Sequence, residues 1–158
     1  VLVKKISSIF KAIIGIAVII GVNGCKPPVD DGDQQAKPIF VKDVSLCDFY
    51  EGICIVNVGE DALTLNITPA NTPSEKPLSV SVNLPESAVL ISARVEGRDM
   101  FMGIIPLNLS QTAKTEYKAT LIYGSCSSNY MVWRMFVTYR NKGVEQTAMF
   151  DFLADNDI

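Results

Sequence analysis

Apolar and polar residues alternate along most of the chain beyond residue 40. In "ALTLNIT", Leu63, Leu65 and Ile67 fall on one side and Thr64, Asn66 and Thr68 on the other. In "LSVSVNL", Leu78, Val80, Val82 and Leu84 oppose Ser79, Ser81 and Asn83. "VLISARVE" sets Val89, Ile91, Ala93 and Val95 against Ser92, Arg94 and Glu96. The same alternation runs through residues 105–109, 116–123, 131–139 and 145–153, with a shorter strand over 53–58 and a leading one over 40–46. Side chains of a strand point alternately to its two faces, so a period of two marks a strand with one face buried. The turn clusters "GED", "NTPSEKP", "PES" and "NKG" separate these runs. No stretch shows the 3.6-residue period of a helix. Short strands about 8–12 residues apart predict an all-β fold, an antiparallel immunoglobulin-like β-sandwich of about 7–9 strands over residues 40–158.

Strand order then sorts the loops. Neighbouring antiparallel strands run in opposite directions, so successive loops alternate between the two ends. The segments 47–52, 69–77, 97–104 and 124–130 fall together at one end, and 59–61, 85–88, 110–115 and 141–144 at the other. With 40–46 as the first strand, the end holding 97–104 and 124–130 lies opposite the point where the chain arrives from its N-terminal segment.

That segment has a different character. Lys4, Lys5 and Lys11 precede an apolar run over residues 12–22, "AIIGIAVIIGV", followed by Asn23, Gly24 and Cys25. A basic flank, a short apolar stretch and a small residue at the cut make a secretory signal, and the run is shorter than the roughly 20 apolar residues of a membrane span. Val22-Asn23-Gly24-Cys25 resembles the bacterial lipobox, with Asn23 a less usual occupant of its slot. The resemblance implies removal of residues 1–24 as a signal peptide and lipidation of Cys25. Multiple acyl chains give stable anchoring to a membrane. Lys26, where no aspartate stands, favours sorting to the outer membrane, with the domain in the periplasm. Residues 26–39, "KPPVDDGDQQAKPI", are rich in Pro, Asp and Gln and read with Cys25 as a disordered tether.

The charge balance narrows the partners. Three of the 14 basic residues and none of the 17 acidic ones lie in residues 1–24, so residues 25–158 carry 11 basic against 17 acidic groups, a net charge of −6. An acidic domain without a basic stripe argues against nucleic acid. Catalysis is not expected either. The chain has no histidine, which removes the Ser-His-Asp and Cys-His arrangements and zinc sites of the histidine type. The carboxylate pairs Asp30/Asp31 and Asp155/Asp157 lie in the tether and the tail, and no glycine-rich phosphate loop is present. Asp99 is placed to form an ion pair with Arg98 or Arg134 that holds its loop.

The remaining chemistry is sulfur. In an oxidising compartment disulfides persist, and Cys47 and Cys54 have a spacing that a hairpin could close; the alternative is that both are metal ligands. Cys126, in the polar loop "GSCSSN", is then left over. Thioether and thiolate are soft donors that select Cu(I), and Met100, Met102 and Cys126, with Met131 at the base of the same loop, could supply them. Methionine is equally a filler of core gaps. Met131, Trp133, Met135, Val137 and Tyr139 share one strand face, so Met135 belongs to the core around the single tryptophan, and Met149 lies on the last strand.

Residues 47–54 ("CDFYEGIC"), "LTLNITP", "KPLSVSVNLP", "VEGRDMFMG" and "GSCSSNYMVWRMFV" together resemble the YtkA-like and FixH-like periplasmic β-sandwich domains. The matching positions are Gly97, Asp99, Met100, Met102, Gly103, Cys126, Met131, Trp133 and Arg134. The resemblance implies copper handling and a part in assembling haem–copper respiratory oxidases. Three expectations follow. The first is a membrane-anchored copper-binding or metallochaperone-like module that takes Cu(I) and serves a respiratory oxidase. The second is an Ig-like protein-interaction domain that docks another envelope protein through Phe101, Ile104 and Tyr130. The third is a structural envelope lipoprotein without metal.

Overall fold

The computed structural model describes residues 43–126 and 130–156. The expected signal peptide, Cys25 and the tether lie outside them. Among the described residues there are nine strands and no helix: β1 Cys54–Val58, β2 Asp61–Thr68, β3 Leu78–Asn83, β4 Val89–Gly97, β5 Ile104–Pro106, β6 Ser110–Gln111, β7 Glu116–Leu121, β8 Val132–Asn141 and β9 Val144–Leu153. They form two antiparallel sheets, ordered β1-β2-β3-β7-β6 and β5-β4-β8-β9. Setting β1 aside, this is the A-B-E-D sheet facing the C′-C-F-G sheet of an immunoglobulin-like sandwich. The expected fold class stands.

The alternating residues make the core. Leu63, Leu65 and Ile67 of β2 and Leu78, Val80 and Val82 of β3 face Trp133, Met135, Val137 and Tyr139 of β8 and Phe150 and Phe152 of β9, all buried. The β8–β9 hairpin turns through Lys142 and Gly143, both at positive φ (49° and 83°). A two-residue turn of that hand matches the twist of the strands it joins, which is why "NKG" closes it. Beside this turn a polar cluster bridges the sheets. Asn141 donates to Asp61 Oδ1 at 2.7 Å, and Ser87 Oγ to Asn141 Oδ1 at 2.6 Å. The buried Tyr139 hydroxyl lies 3.1 Å from Asp61 Oδ2 and 2.8 Å from Gln146 Oε1. The polar atoms of this cluster are thus satisfied, whereas the buried Trp133 Nε1 has no hydrogen-bond partner among the described residues.

Three expectations are corrected. Residues 43–46 of the expected leading strand form a turn, in which Asp43 accepts from the Ser45 amide at 3.0 Å through its side chain and from the Leu46 amide at 3.1 Å through its carbonyl. An aspartate that satisfies the backbone two residues on supports a turn in place of a ladder. Of the expected strand 105–109 only residues 105–106 are in a strand, β5 paired to β4; residues 107–109 then cross to β6, which pairs with β7 in the other sheet. Pro106, which lacks an N–H, stands at the point of departure. Val89 and Ile91, assigned to the core, are 63% and 43% exposed. The register shifts between Leu90 and Ser92. An extra residue in one strand reverses the face of everything before it.

Candidate functional site at the loop end

Registry confirms which loops meet. β1 begins where β2 ends, β3 begins there, and β7 ends there, since Cys54 pairs with Leu65 and Leu78 with Leu121. In the other sheet, β4 ends and β8 begins at the point where β9 ends, with Gly97 opposite Trp133 and Val132 opposite Leu153. Contacts between the sheets put both sets at one end. The Thr72 amide nitrogen closes on Pro69, its hydroxyl donates to the Leu153 carbonyl at 2.5 Å, and its carbonyl accepts from Asp155 and from the Tyr123 hydroxyl. These bonds hold Thr72 at φ 43°, a backbone state that a β-branched residue rarely adopts. Burial drives the Tyr123 pKa upward, so its hydroxyl stays protonated and donating.

The first loop is closed by a disulfide between Cys47 and Cys54, with the Cα atoms 5.3 Å apart. Of the two readings of that pair, the cross-link holds. The Cys47 amide donates to the Asp151 carbonyl at 2.7 Å, and Phe49 packs on Phe152 with ring centroids 6.1 Å apart. The disulfide therefore links β1 in one sheet to a segment lying along β9 in the other.

Arg98 organises the second loop. Its guanidinium lies 3.0 Å from Asp99, 3.4 Å from Asp43 and 3.6 Å from Asp151, and Asp151 is itself held by Arg134. Asp99 thus pairs with Arg98, one of the two partners expected. The neighbouring carboxylates, Asp99 first, raise the Arg98 pKa, and Asp151 raises that of Arg134. Hydrogen bonds from Ser45, then the approach of Arg98, hold the Asp43 carboxyl below its usual value. The Asp43 contact corrects another expectation: the described chain begins at the loop end, not opposite it, because residues 43–46 form a turn and not the end of a strand.

The sulfurs divide as follows. Cys126 Sγ and Met100 Sδ are 3.9 Å apart, bringing the second and third loops together. Met100 is 49% exposed and Cys126 half-buried. Met102 is half-buried and packs against the core. Met131 is buried. A Cβ built on Gly97 would lie 2.1 Å from the Met100 carbonyl oxygen and 2.7 Å from Met131 Cε, so Met131 and the backbone of Met100 crowd the same glycine. Met135 is fully buried, and Met149 is exposed on the outer face of β9. The structure thus joins Met100 to Cys126, brings Met131 to the same glycine as the Met100 backbone, and packs both Met102 and Cys126 against the edge of the core.

Among the described residues no group of three or more His, Cys, Asp or Glu side chains is placed to hold a metal ion. Thioethers fall outside that set. The Cys126 thiol is within hydrogen-bonding distance of the Met100 thioether, and both sulfurs are donors of the soft kind. Sequence reasoning named these sulfurs and the Asp99–Arg98 pair but not the contacts of Arg98 with Asp43 and Asp151 or the crowding at Gly97. "GRD" after an alternating strand was the available signal, a glycine where the strand ends and opposite charges side by side.

No family model and no curated protein matches the sequence. Among solved structures, the GAE domain of GGA2p from Saccharomyces cerevisiae is similar at a TM-score of 0.34 and 11% identity, over 67% of this chain and 100% of that domain.

Proposed function

We propose that this chain is a lipid-anchored module of the bacterial cell envelope that binds Cu(I) through Met100 and Cys126 and passes it on as a metallochaperone does. The observation that carries the reading is the 3.9 Å approach of Met100 Sδ to Cys126 Sγ at an accessible end of the sandwich. A thiolate and a thioether are the donors that favour Cu(I) over harder cations, and no histidine is needed. Met131, whose terminal methyl crowds Gly97 beside the Met100 backbone, is the candidate for a third donor. The proposed pair is the one in contact, Met100 with Cys126, and Met102 stands outside it. The G-x-D-M-x-M-G and Cys…M-x-W-R patterns, which resemble those of the YtkA-like and FixH-like domains, accord with the same reading. They also suggest assembly of a respiratory oxidase as the process served.

The test is a Cu(I) titration of the full chain in detergent, under reducing conditions, against a competing chelator. One-to-one binding that is lost in both Met100→Leu and Cys126→Ser, and kept in Met102→Leu, is the expected result. A folded wild-type protein that takes no Cu(I) would overturn the assignment. The second reading, a docking domain for another envelope protein, is favoured by the exposure of Phe101, Ile104 and Tyr130 around these loops. Retained partner binding by a Met100→Leu/Cys126→Ser double variant would support it.

A further inference from the structure

We propose that the loop end is a bilayer-contacting surface, whose exposed apolar side chains dip into the headgroup–acyl boundary of the membrane that holds the chain. The inference rests on the lipid anchor at Cys25. Its first ground is where the chain enters the sandwich. Asp43 is ion-paired to Arg98 at 3.4 Å, so the described chain begins at the loop end, with the proposed anchor at Cys25 upstream of it in sequence. An anchor on that side of the sequence favours approach of this end to the bilayer.

The second ground is the distribution of exposed apolar groups. Among the described residues the exposed aromatic side chains are Tyr50, Phe101 and Tyr130, and all three lie on loop-end segments. Ile53, Ile104 and Ile122 are exposed at the same end. Phe101, 82% exposed, occupies a short loop between Arg98, fixed by three carboxylates, and Gly103. The loop base is therefore held while its apolar tip projects. At the opposite end, exposed apolar groups are the aliphatic Val89, Ile91 and Val144. Aromatic rings with aliphatic neighbours are the composition that settles at a membrane–water interface.

Charge specifies the kind of surface. Asp48, Glu51, Asp99 and Glu75 lie in the same loops, and Arg98 is already engaged by carboxylates. Attraction to anionic headgroups is not the driving force. Apolar insertion into a zwitterionic surface is, and added anionic lipid weakens it. A few inserted side chains bind weakly alone. A short tether raises the local concentration to the order of millimolar, which makes weak insertion effective.

The test places a reporter at each end of the full chain. Phe101→Trp and Val144→Trp are mixed with phosphatidylcholine vesicles carrying bromine at shallow acyl positions. The wild type supplies the baseline, because its single Trp133 is 1% exposed. Expected is a blue shift and loss of emission for Phe101→Trp, with Val144→Trp unchanged. Quenching of neither reporter, or of both equally, overturns the proposal. So does shielding of the Phe101→Trp reporter by an envelope protein fraction without lipid, which identifies a protein-docking surface. The anchor is read separately from the mass of the Cys25 peptide. Acylated Cys25 without quenching overturns this surface alone. Quenching by added vesicles without acylation overturns the anchor and supports the surface.

Discussion

Arg134 forks onto Asp151 across the β8–β9 ladder, Nε at 2.6 Å and Nη2 at 2.8 Å, while Arg98 approaches the same carboxylate from the loop at 3.6 Å. One acid therefore serves two guanidinium groups, and the sheet and the loop share an electrostatic fulcrum. Replacing it leaves two positive charges facing one another. For Asp151→Asn we expect a loss of about 2 kcal/mol, below the usual figure for a fully buried pair because Arg134 keeps solvent contact. Urea denaturation would measure it. Arg134→Lys should recover only part, since an ammonium cannot engage both oxygens in a fork.

The Cys47–Cys54 disulfide closes a short loop between the two sheets. Chain-entropy arguments give a loop of this length about 2.5 kcal/mol. A Cys47→Ser/Cys54→Ser variant should lose that amount in denaturant titration and stay folded, because the core beneath it is continuous. Unfolding of the variant at 25 °C would mean that the sandwich depends on its cross-link more than the packing implies.

Two ends of the pH scale should show different losses. Glu116 has its pKa lowered by the Thr112 hydroxyl first, then by Lys118. Asp43 is lowered by Ser45. A carboxyl with a depressed folded pKa contributes stability that is present above its unfolded pKa and lost as pH falls through the folded value. Stability should therefore decline below about pH 4, and Glu116→Gln should flatten that limb. Tyr139 behaves in the opposite sense. Burial, then Asp61, pushes its pKa up to about 12. Its contribution is complete below about pH 10 and drains away as pH rises through about 12. Tyr139→Phe should remove that alkaline limb, measurable by denaturant midpoints from pH 8 upward.

Much of this architecture was legible because a period of two reports burial directly. β2, β3, β8 and the core residues of β9 are plain in the alternation. The N-terminal half of β4 was not, because the bulge at Leu90/Ser92 keeps the alternation while reversing its meaning. Residues 105–109 look like one strand, but a chain that changes sheets carries the same local pattern as one that does not. The leading strand failed because Asp43 can satisfy nearby amides itself. The loops still clustered as expected, since their relative parity does not depend on the first strand. The point where the described chain begins did depend on it, and lies at the other end. Within the site, residue chemistry named the sulfurs, but the approach of Met100 to Cys126 depends on the close packing of the Met100 backbone on Gly97, which no spacing rule describes.

That close approach supplies a further prediction. Gly97 pairs with Trp133 at the end of β4, and a methyl added there would sit 2.1 Å from the Met100 carbonyl oxygen. No side-chain rearrangement relieves a clash with backbone, so loop 98–103 must shift. Overpacking of this kind costs about 1–3 kcal/mol. Gly97→Ala should therefore lose stability by that amount and also carry Met100 away from Cys126. The two effects separate in a paired measurement, denaturation for stability and Cu(I) competition for the sulfur pair. Met135→Leu serves as a control, a near volume-conserving core change that should leave Cu(I) affinity alone. If Gly97→Ala weakens Cu(I) binding while the control does not, the glycine positions the pair through backbone geometry. If Gly97→Ala destabilises the fold yet binds Cu(I) as tightly as wild type, the 3.9 Å approach is not what holds the ion.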